Sequence, residues 1–261
     1  MTEQDPVLLS RAGAVATVTI NRPHRKNAID LATWDGLLDA FREVERADDV
    51  RVVVVTGAGG EFSAGADLSA DGGEHPLTRM HRLNDVALAL NEIAKPTIAK
   101  VDGVAVGAGW NLALGCDLVV ATERARFSQI FARRGLSLDF GGSWLLPRLV
   151  GMQQAKRLAL RAEMIGADEA RELGLVTWVR PADELDSFVD SLAAELAGLP
   201  PVALSLSKKL LEEGSTRTLR EALEGEARAQ TVNFATEDAP AAFEAFLRKT
   251  EVKYTGRWAV R

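Results

Sequence analysis

The sequence predicts an α/β fold built on a largely parallel β-sheet. Three observations lead to this prediction. Apolar runs of strand length recur through the first part of the chain, segments with helical spacing of apolar residues separate them, and glycine-rich turns follow several of the runs. Strands that alternate with helices favour parallel pairing, because a parallel connection needs a crossover about as long as a helix.

The first strand is predicted at Ala14–Asn21, AVATVTIN, where apolar and polar residues alternate. Asp30 is then placed to cap a helix through LATWDGLLDAFREVERA, whose apolar residues recur at helical spacing. The run RVVVVTG, Arg51–Gly57, is apolar almost without interruption, which is typical of a strand buried on both faces.

A second helix is predicted from about Pro76 to Ile93, after a polar loop. Two further strands follow, PTIAKVDG at Pro96–Gly103 and DLVVAT at Asp117–Thr122. Strand and helix therefore alternate through this part of the chain, as the fold class requires.

The pattern changes beyond about Pro200, where only amphipathic helical segments occur: SLSKKLLEEG, TLREALEGEARAQTVNFA and PAAFEAFLRKTEV. We therefore divide the chain into an α/β core, residues 1–199, and a helical C-terminal region, residues 200–261. We expect this region to lie against the core or against another subunit.

Composition excludes several function classes. Lys and Arg total 31 against 37 Asp and Glu, a net charge of −6, which argues against a general nucleic-acid surface. The single Cys116 allows no internal disulfide, and the three histidines lack metal-ligand spacing, so we predict no metal site. The polar N-terminus MTEQDP and the absence of an apolar run near ~18 residues predict a cytoplasmic protein.

Two glycine-rich stretches stand where a strand meets a helix: TGAGGEFSAGADL, residues 56–68, and DGVAVGAGWNLALG, residues 102–115. Neither has the lysine of a phosphate-binding loop or the spacing of a dinucleotide fingerprint. The first amides of a helix lack intrahelical partners. Two such amides directed at one point would form an oxyanion hole, although simple turns would have the same composition.

Four segments together resemble the crotonase superfamily, the enoyl-CoA hydratase/isomerase family: NRPHRKNAI, TGAGGEFSAGADL, AKVDGVAVGAGWNLALGCDLVVA and LDFGGSWLLPRLVG. The resemblance covers essentially the whole chain. It implies a spiral core of ββα units, a C-terminal helical trimerisation region and trimers that often pair into hexamers. It also implies an acyl-CoA thioester as substrate and no metal or redox cofactor, since coenzyme A is part of the substrate.

The resemblance also implies site residues. The backbone amides of Ala66 and Ala108 would hold the thioester oxygen. Contacts to the substrate are implied for Arg25, Lys26 and Ala28 at a strand end, and for Ala64, Asp67 and Leu68 along the path of the pantetheine and adenine. In the acyl region they are implied for Gly107, Asn111 and Phe131. At the adenine and phosphate end they are implied for Phe246 and Lys249, which in relatives often come from a neighbouring subunit.

The sequence departs from the family pattern at the positions that would carry the acid–base groups. Hydratases of the family carry two glutamates, and the matching positions here hold Asn111 and Phe131. Asp139 is the one acid that the pattern brings to the acyl end, an arrangement that resembles the isomerase branch, in particular 2-(1,2-epoxy-1,2-dihydrophenyl)acetyl-CoA isomerases. One carboxylate suffices to move a proton between two carbons. We predict a desolvated Asp139 whose pKa is raised by Phe131, Phe140 and Trp144.

Three alternatives stay open. Asp139 could instead cap the turn before Gly141 and Gly142. The protein could be a hydratase that holds water with Asn111 and Asp139, or a protein that binds CoA thioesters without chemistry. A loop residue, Asp71, Glu74 or His75, could supply a second acid or base. Trp110 and Trp144 could wall the acyl pocket or fill the core.

Overall fold

The computed structural model describes residues 5–69, 73 and 75–259 of the chain. Its strands are β1 Val7–Ala12, β2 Val15–Ile20, β3 Val52–Gly57, β4 Thr97–Val101, β5 Val104–Val106, β6 Leu118–Thr122, β7 Arg126–Ser128, β8 Ile165–Gly166 and β9 Trp178–Arg180. Its helices are α1 Leu31–Arg46, α2 Pro76–Asn91, α3 Ala108–Leu114, α4 Gly142–Arg161, α5 Ala167–Glu172, α6 Leu185–Ala197, α7 Pro201–Gly214, α8 Leu219–Phe234 and α9 Asp238–Arg248.

Six strands form the main sheet in the order β1-β2-β3-β4-β6-β9, and three form a smaller sheet in the order β5-β7-β8. All neighbours in the main sheet beyond the β1–β2 hairpin are parallel, which confirms the predicted fold class. Sequence reasoning missed β1, since most of its side chains are exposed and give no apolar run. It also missed β5, β7, β8 and β9, which have three residues or fewer.

The β3 strand is buried on both faces, as its uninterrupted valines predict. Val53 and Val55 join the larger core, which also contains residues of α1, α2, α3 and α4. Val52 and Val54 face a second, smaller core completed by Leu185, Val189 and Ala193 of α6. Side chains that alternate across a strand thus place helices on both sides of the sheet.

The predicted cap of α1 is confirmed. The Asp30 carboxylate accepts hydrogen bonds from the Thr33 amide at 2.9 Å and from its hydroxyl at 2.6 Å. Cys116 is buried, as its apolar context predicts, and burial raises the pKa of its thiol to about 12. A thiol of this kind is inert at neutral pH.

The three predicted C-terminal helical segments are confirmed as α7, α8 and α9. They are joined to the core by Lys208, whose ammonium lies 2.9 Å from the Asp117 carboxylate, and by Arg51, which donates to the Tyr254 carbonyl at 2.9 Å. Large apolar side chains remain exposed in this region, namely Leu211, Leu219, Leu223, Phe234, Phe243, Phe246, Leu247 and Trp258. Its role in oligomerisation stays a prediction.

Within the described residues no single helix is long and apolar enough to cross a membrane. Only α6 and α7 taken together reach that length and apolarity, and the chain bends by 103° between them.

Candidate active site

The two glycine-rich stretches meet side by side. The Ser63 amide donates to the Val104 carbonyl at 2.9 Å, and the Val106 amide donates to the Ser63 carbonyl at 3.0 Å. Gly65 approaches the second stretch so closely that a Cβ there would lie 2.6 Å from the Val106 carbonyl oxygen and 3.6 Å from the Ala108 nitrogen. Only glycine permits this approach, because any side chain would separate the two loops.

A glycine with positive φ precedes each of the two alanines whose amides the family resemblance assigns to the thioester oxygen. Gly65, with φ +85°, precedes Ala66, and Gly107, with φ +57°, precedes Ala108. Among the described residues, no main-chain or side-chain acceptor receives the amide of Ala66 or Ala108. Two neighbouring donors without partners are what an oxyanion hole requires.

A cavity of about 400 Å³ adjoins Ala66, and Asp139 lines the same cavity. Its other lining residues are Ile29, Asp30, Leu31, Trp34, Asp67, Leu68, Pro76, Arg79, Met80, Leu83 and Leu136. The walls are mostly apolar, so a charged group in this space loses much of its hydration.

Asp139 is partly buried, and its Oδ1 atom is inaccessible to solvent and has no hydrogen-bond partner. Burial raises the pKa of this carboxyl group from 3.8 to about 6. The following turn is closed by the Gly142 amide on the Asp139 main-chain carbonyl at 2.9 Å, not by the side chain. The turn-capping interpretation is therefore wrong for the carboxylate.

The three rings predicted to desolvate Asp139 do not line its cavity. Phe140 and Trp144 line a separate apolar cavity of about 280 Å³, and Phe131 lies against Gly107. Leu136, rather than these rings, lines the cavity together with Asp139. Trp34 stacks on Phe140 with ring centroids 5.3 Å apart, and each of these rings lines one of the two cavities.

Asn111 positions the main chain of Asp139. Its Nδ2 donates to the Asp139 carbonyl at 2.9 Å, and its Oδ1 accepts a hydrogen bond from Gln129 Nε2 at 2.8 Å. Asn111 and Gln129 are fully buried. Sequence reasoning missed this contact of Gln129, because it joins residues 18 positions apart in the chain.

Gly142 lies against the Asn111 amide. A methyl group there would come within 2.8 Å of Asn111 Cγ and Oδ1 and still closer to Nδ2. We therefore expect Gly142→Ala to destabilise the protein by about 1–3 kcal/mol, since a packed core resists added volume. We also expect it to lower kcat by displacing Asp139.

Chemical denaturation and steady-state kinetics would test the Gly142→Ala prediction. Gly214→Ala is the matched control, because the added methyl group on α7 meets nothing within 4 Å. Equal stability and activity of the two variants would contradict the proposed contact.

Asp67 lines the cavity and is held by two neighbouring side chains. Its carboxylate accepts a hydrogen bond from the Ser69 hydroxyl at 2.6 Å and forms an ion pair with Arg22 at 3.0 Å. These contacts, with Ser69 contributing most, hold the pKa of Asp67 at about 2. Arg22 also pairs with Asp30 at 3.0 Å and donates to the Ala28 carbonyl, so it fixes the loop that carries Ala66.

The predicted CoA-binding residues near the first loop are only partly brought together. Ala64 donates its amide to the Lys26 carbonyl at 2.9 Å, so these two segments are adjacent. Arg25 and Lys26 are exposed, and the Lys26 ammonium lies 3.0 Å from the Glu61 carboxylate. Leu68 is exposed at the edge of the cavity with Asp139.

Other predicted residues lie away from this cavity. Phe246 and Lys249 are exposed at the end of α9. Trp110 is fully buried beside Phe127, with ring centroids 5.4 Å apart, so it belongs to the core. His75 accepts the Leu77 amide at 3.2 Å and caps α2. The candidates Asp71 and Glu74 lie outside the described residues.

Comparisons with known proteins agree on the family. The sequence profile of the enoyl-CoA hydratase/isomerase family matches residues 10–257. The short-chain-enoyl-CoA hydratase of Clostridium acetobutylicum is 36% identical, with 96% of this chain and 98% of that protein covered. The 1,2-epoxyphenylacetyl-CoA isomerase of Escherichia coli is also 36% identical, with 93% of this chain and 95% of that protein covered.

A solved structure of an enoyl-CoA hydratase/isomerase from Mycobacterium abscessus superposes with a TM-score of 0.92 at 36% identity, covering 96% of this chain and all of that one. The fold, the loop geometry and the sequence similarity thus indicate the same family. The chain belongs to the enoyl-CoA hydratase/isomerase family, the crotonase superfamily, whose members act on CoA thioesters.

Proposed function

We propose that this protein is an acyl-CoA isomerase that moves a proton with Asp139 while the amides of Ala66 and Ala108 hold the thioester oxygen. The observation that carries the proposal is the cavity shared by Ala66 and Asp139, in which the carboxylate is poorly hydrated and Oδ1 has no partner. CoA would enter only as part of the substrate, and the reaction would need no metal or redox cofactor.

A single carboxyl group can carry out both proton transfers of the proposed isomerisation. The Asp139 carboxylate removes a proton from carbon 2 of a 3-enoyl-CoA, and the electron pair moves onto the thioester oxygen as a dienolate. The two amides stabilise this developing charge. The protonated Asp139 then returns the proton to carbon 4, so the double bond moves from carbons 3 and 4 to carbons 2 and 3. A base with a pKa of about 6 suits both transfers near neutral pH.

Hydration is less well supported by the site. A hydratase would need a group to position water, and the buried Asn111 amide is already engaged with the Asp139 carbonyl and with Gln129. Asn is also neutral and cannot act as a base near pH 7. Because relatives at equal identity carry hydratase and isomerase names, the reaction itself must be measured.

Three substrates distinguish the functions: crotonyl-CoA, a 3-enoyl-CoA and a ring-epoxide phenylacetyl-CoA. Isomerisation leaves the product mass unchanged and alters the absorbance, whereas hydration adds the mass of one water. A non-catalytic binding protein would turn over none of them but would gain thermal stability with CoA thioesters. Water addition to crotonyl-CoA without isomerisation of the other two would overturn the proposal.

We expect kcat/KM for the 3-enoyl-CoA to fall as the pH drops through about 6. Burial raises the pKa of Asp139 to that value, and the protonated acid cannot remove a proton. The measurement is kcat/KM from pH 4.5 to 8.5 in buffers of constant ionic strength. If kcat/KM instead fell only near pH 4, the ordinary pKa range of a carboxyl group, that result would contradict the desolvated environment assigned to Asp139.

A further inference from the structure

Arg79 is a cation in the candidate acyl cavity that the proposed chemistry does not use. It lies in the first turns of α2, and Leu83, four residues later on the same helical face, lines the cavity with it. Its Nε atom is inaccessible to solvent and has no hydrogen-bond partner among the residues that the structure describes. Within the part of the chain that the structure describes, the guanidinium makes no ion pair within 4 Å.

The carboxylates that share this cavity do not neutralise Arg79. Asp30 and Asp67 are both engaged by Arg22, each at 3.0 Å. The pKa of Asp139 is raised by burial alone, without an opposing effect of a nearby cation. Among the described residues, Arg79 therefore brings a positive charge without an ion-pair partner to a space whose other lining side chains are mainly apolar.

An unpaired buried donor costs free energy that a ligand with a matching acceptor recovers. A planar guanidinium pairs best with a carboxylate or a phosphate, through two parallel hydrogen bonds. Arg79 shares its cavity with Ala66 and Asp139, the thioester and acyl end of the proposed site. A carboxylate on the acyl group is therefore the anion that fits this position.

We propose that the substrate is the CoA monothioester of a dicarboxylic acid, whose free carboxylate is bound by Arg79. This inference rests on the proposed acyl-CoA site, since it names the acyl group that the site accepts. The aliphatic middle of such an acyl chain would contact the apolar walls, which include Met80, Leu83 and Leu136.

Binding of two saturated, unreactive probes tests the inference: adipoyl-CoA, with a terminal carboxylate, and hexanoyl-CoA, which lacks it. By isothermal titration calorimetry we expect the wild type to bind adipoyl-CoA more tightly by roughly 10- to 100-fold. In Arg79→Met this preference should vanish or reverse, and Arg79→Lys should recover part of it. Arg42→Met, an exposed position on α1 outside this cavity, is the matched control and should keep the preference.

Each other outcome overturns the inference in a recognisable way. Equal binding of both probes by the wild type would refute the preference for a dicarboxylic acyl group but not the acyl-CoA site. An equal loss of both probes in Arg79→Met would assign the guanidinium to the phosphates of CoA. Binding of neither probe would refute the acyl-CoA site itself, and with it the proposed function.

Discussion

Replacing Asp139 by Asn should lower kcat for a 3-enoyl-CoA by about 10²- to 10⁴-fold, the usual contribution of a positioned acid–base group. The substitution preserves the shape of the side chain but removes the base. The cavity, the hydrogen bond from the Asn111 side chain to the Asp139 main-chain carbonyl and the two loop amides should stay in place. Steady-state kinetics on the variant and the wild type give the ratio directly.

The same substitution should stabilise the fold above pH 7. Because burial raises the pKa of Asp139 from 3.8 to about 6, the folded protein binds one more proton than the unfolded chain between these values. The wild type therefore loses stability as the pH rises from 4 to 6. Two units of pKa correspond to about 3 kcal/mol, which is the largest gain we expect for Asp139→Asn at pH 8.

Denaturant unfolding at pH 4 and pH 8 checks this second effect. The stability difference between variant and wild type should be small at pH 4 and large at pH 8. Ser137→Ala, an exposed change two residues earlier, is the control and should show neither effect. Full activity of Asp139→Asn, or a lower stability than the wild type at pH 8, would show that this carboxylate is not the desolvated base.

Replacing Ala108 by Pro should lower kcat/KM by at least about 100-fold, the typical cost of losing one oxyanion donor. Proline lacks the N–H group, and its ring carbon would occupy the space in front of that nitrogen. The fold should tolerate the change, because Ala108 is the first residue of α3, a position that suits proline. Gly107, with φ +57° and ψ −126°, lies outside the helical region that a following proline disfavours.

Ala108→Gly is the matched control, since it removes the methyl group but keeps the amide. We expect it to retain most of the activity, and denaturant unfolding of both variants checks that each still folds cooperatively. Activity retained in Ala108→Pro alongside a normal fold would exclude this amide from the oxyanion hole.

The parts of the fold that the sequence predicts are those with a local signal. The four valines of β3, the Asp30 cap of α1 and the amphipathic segments beyond Pro200 each carry a periodicity or a cap that neighbouring residues define. The hairpin strand β1 was missed because its pattern of exposure resembles that of a loop. The alternation in β2 and the apolar runs of β3, β4 and β6 made those strands predictable, whereas β9 has only three residues.

In the candidate site, too, only the features with a local sequence signal could be predicted. The two glycine-rich loops could be located from sequence, since a left-handed turn and a close approach both demand glycine. The Gln129–Asn111–Asp139 contacts and the Arg22–Asp67 pair could not, because each joins residues that are distant in the chain. The desolvation of Asp139 is confirmed, whereas the rings predicted to cause it stay a prediction, since Phe140 and Trp144 line the other cavity.

The burial of Cys116 offers a way to follow these variants without adding a label. As the chain has a single thiol, and that thiol is enclosed with its pKa at about 12, iodoacetamide can alkylate it only when the surrounding core opens. The mass increase of the intact chain with time then reports the opening equilibrium at any chosen temperature. One trapping reaction can thus rank the substituted proteins by stability, even where the folded state is too strongly favoured for a conventional melting curve.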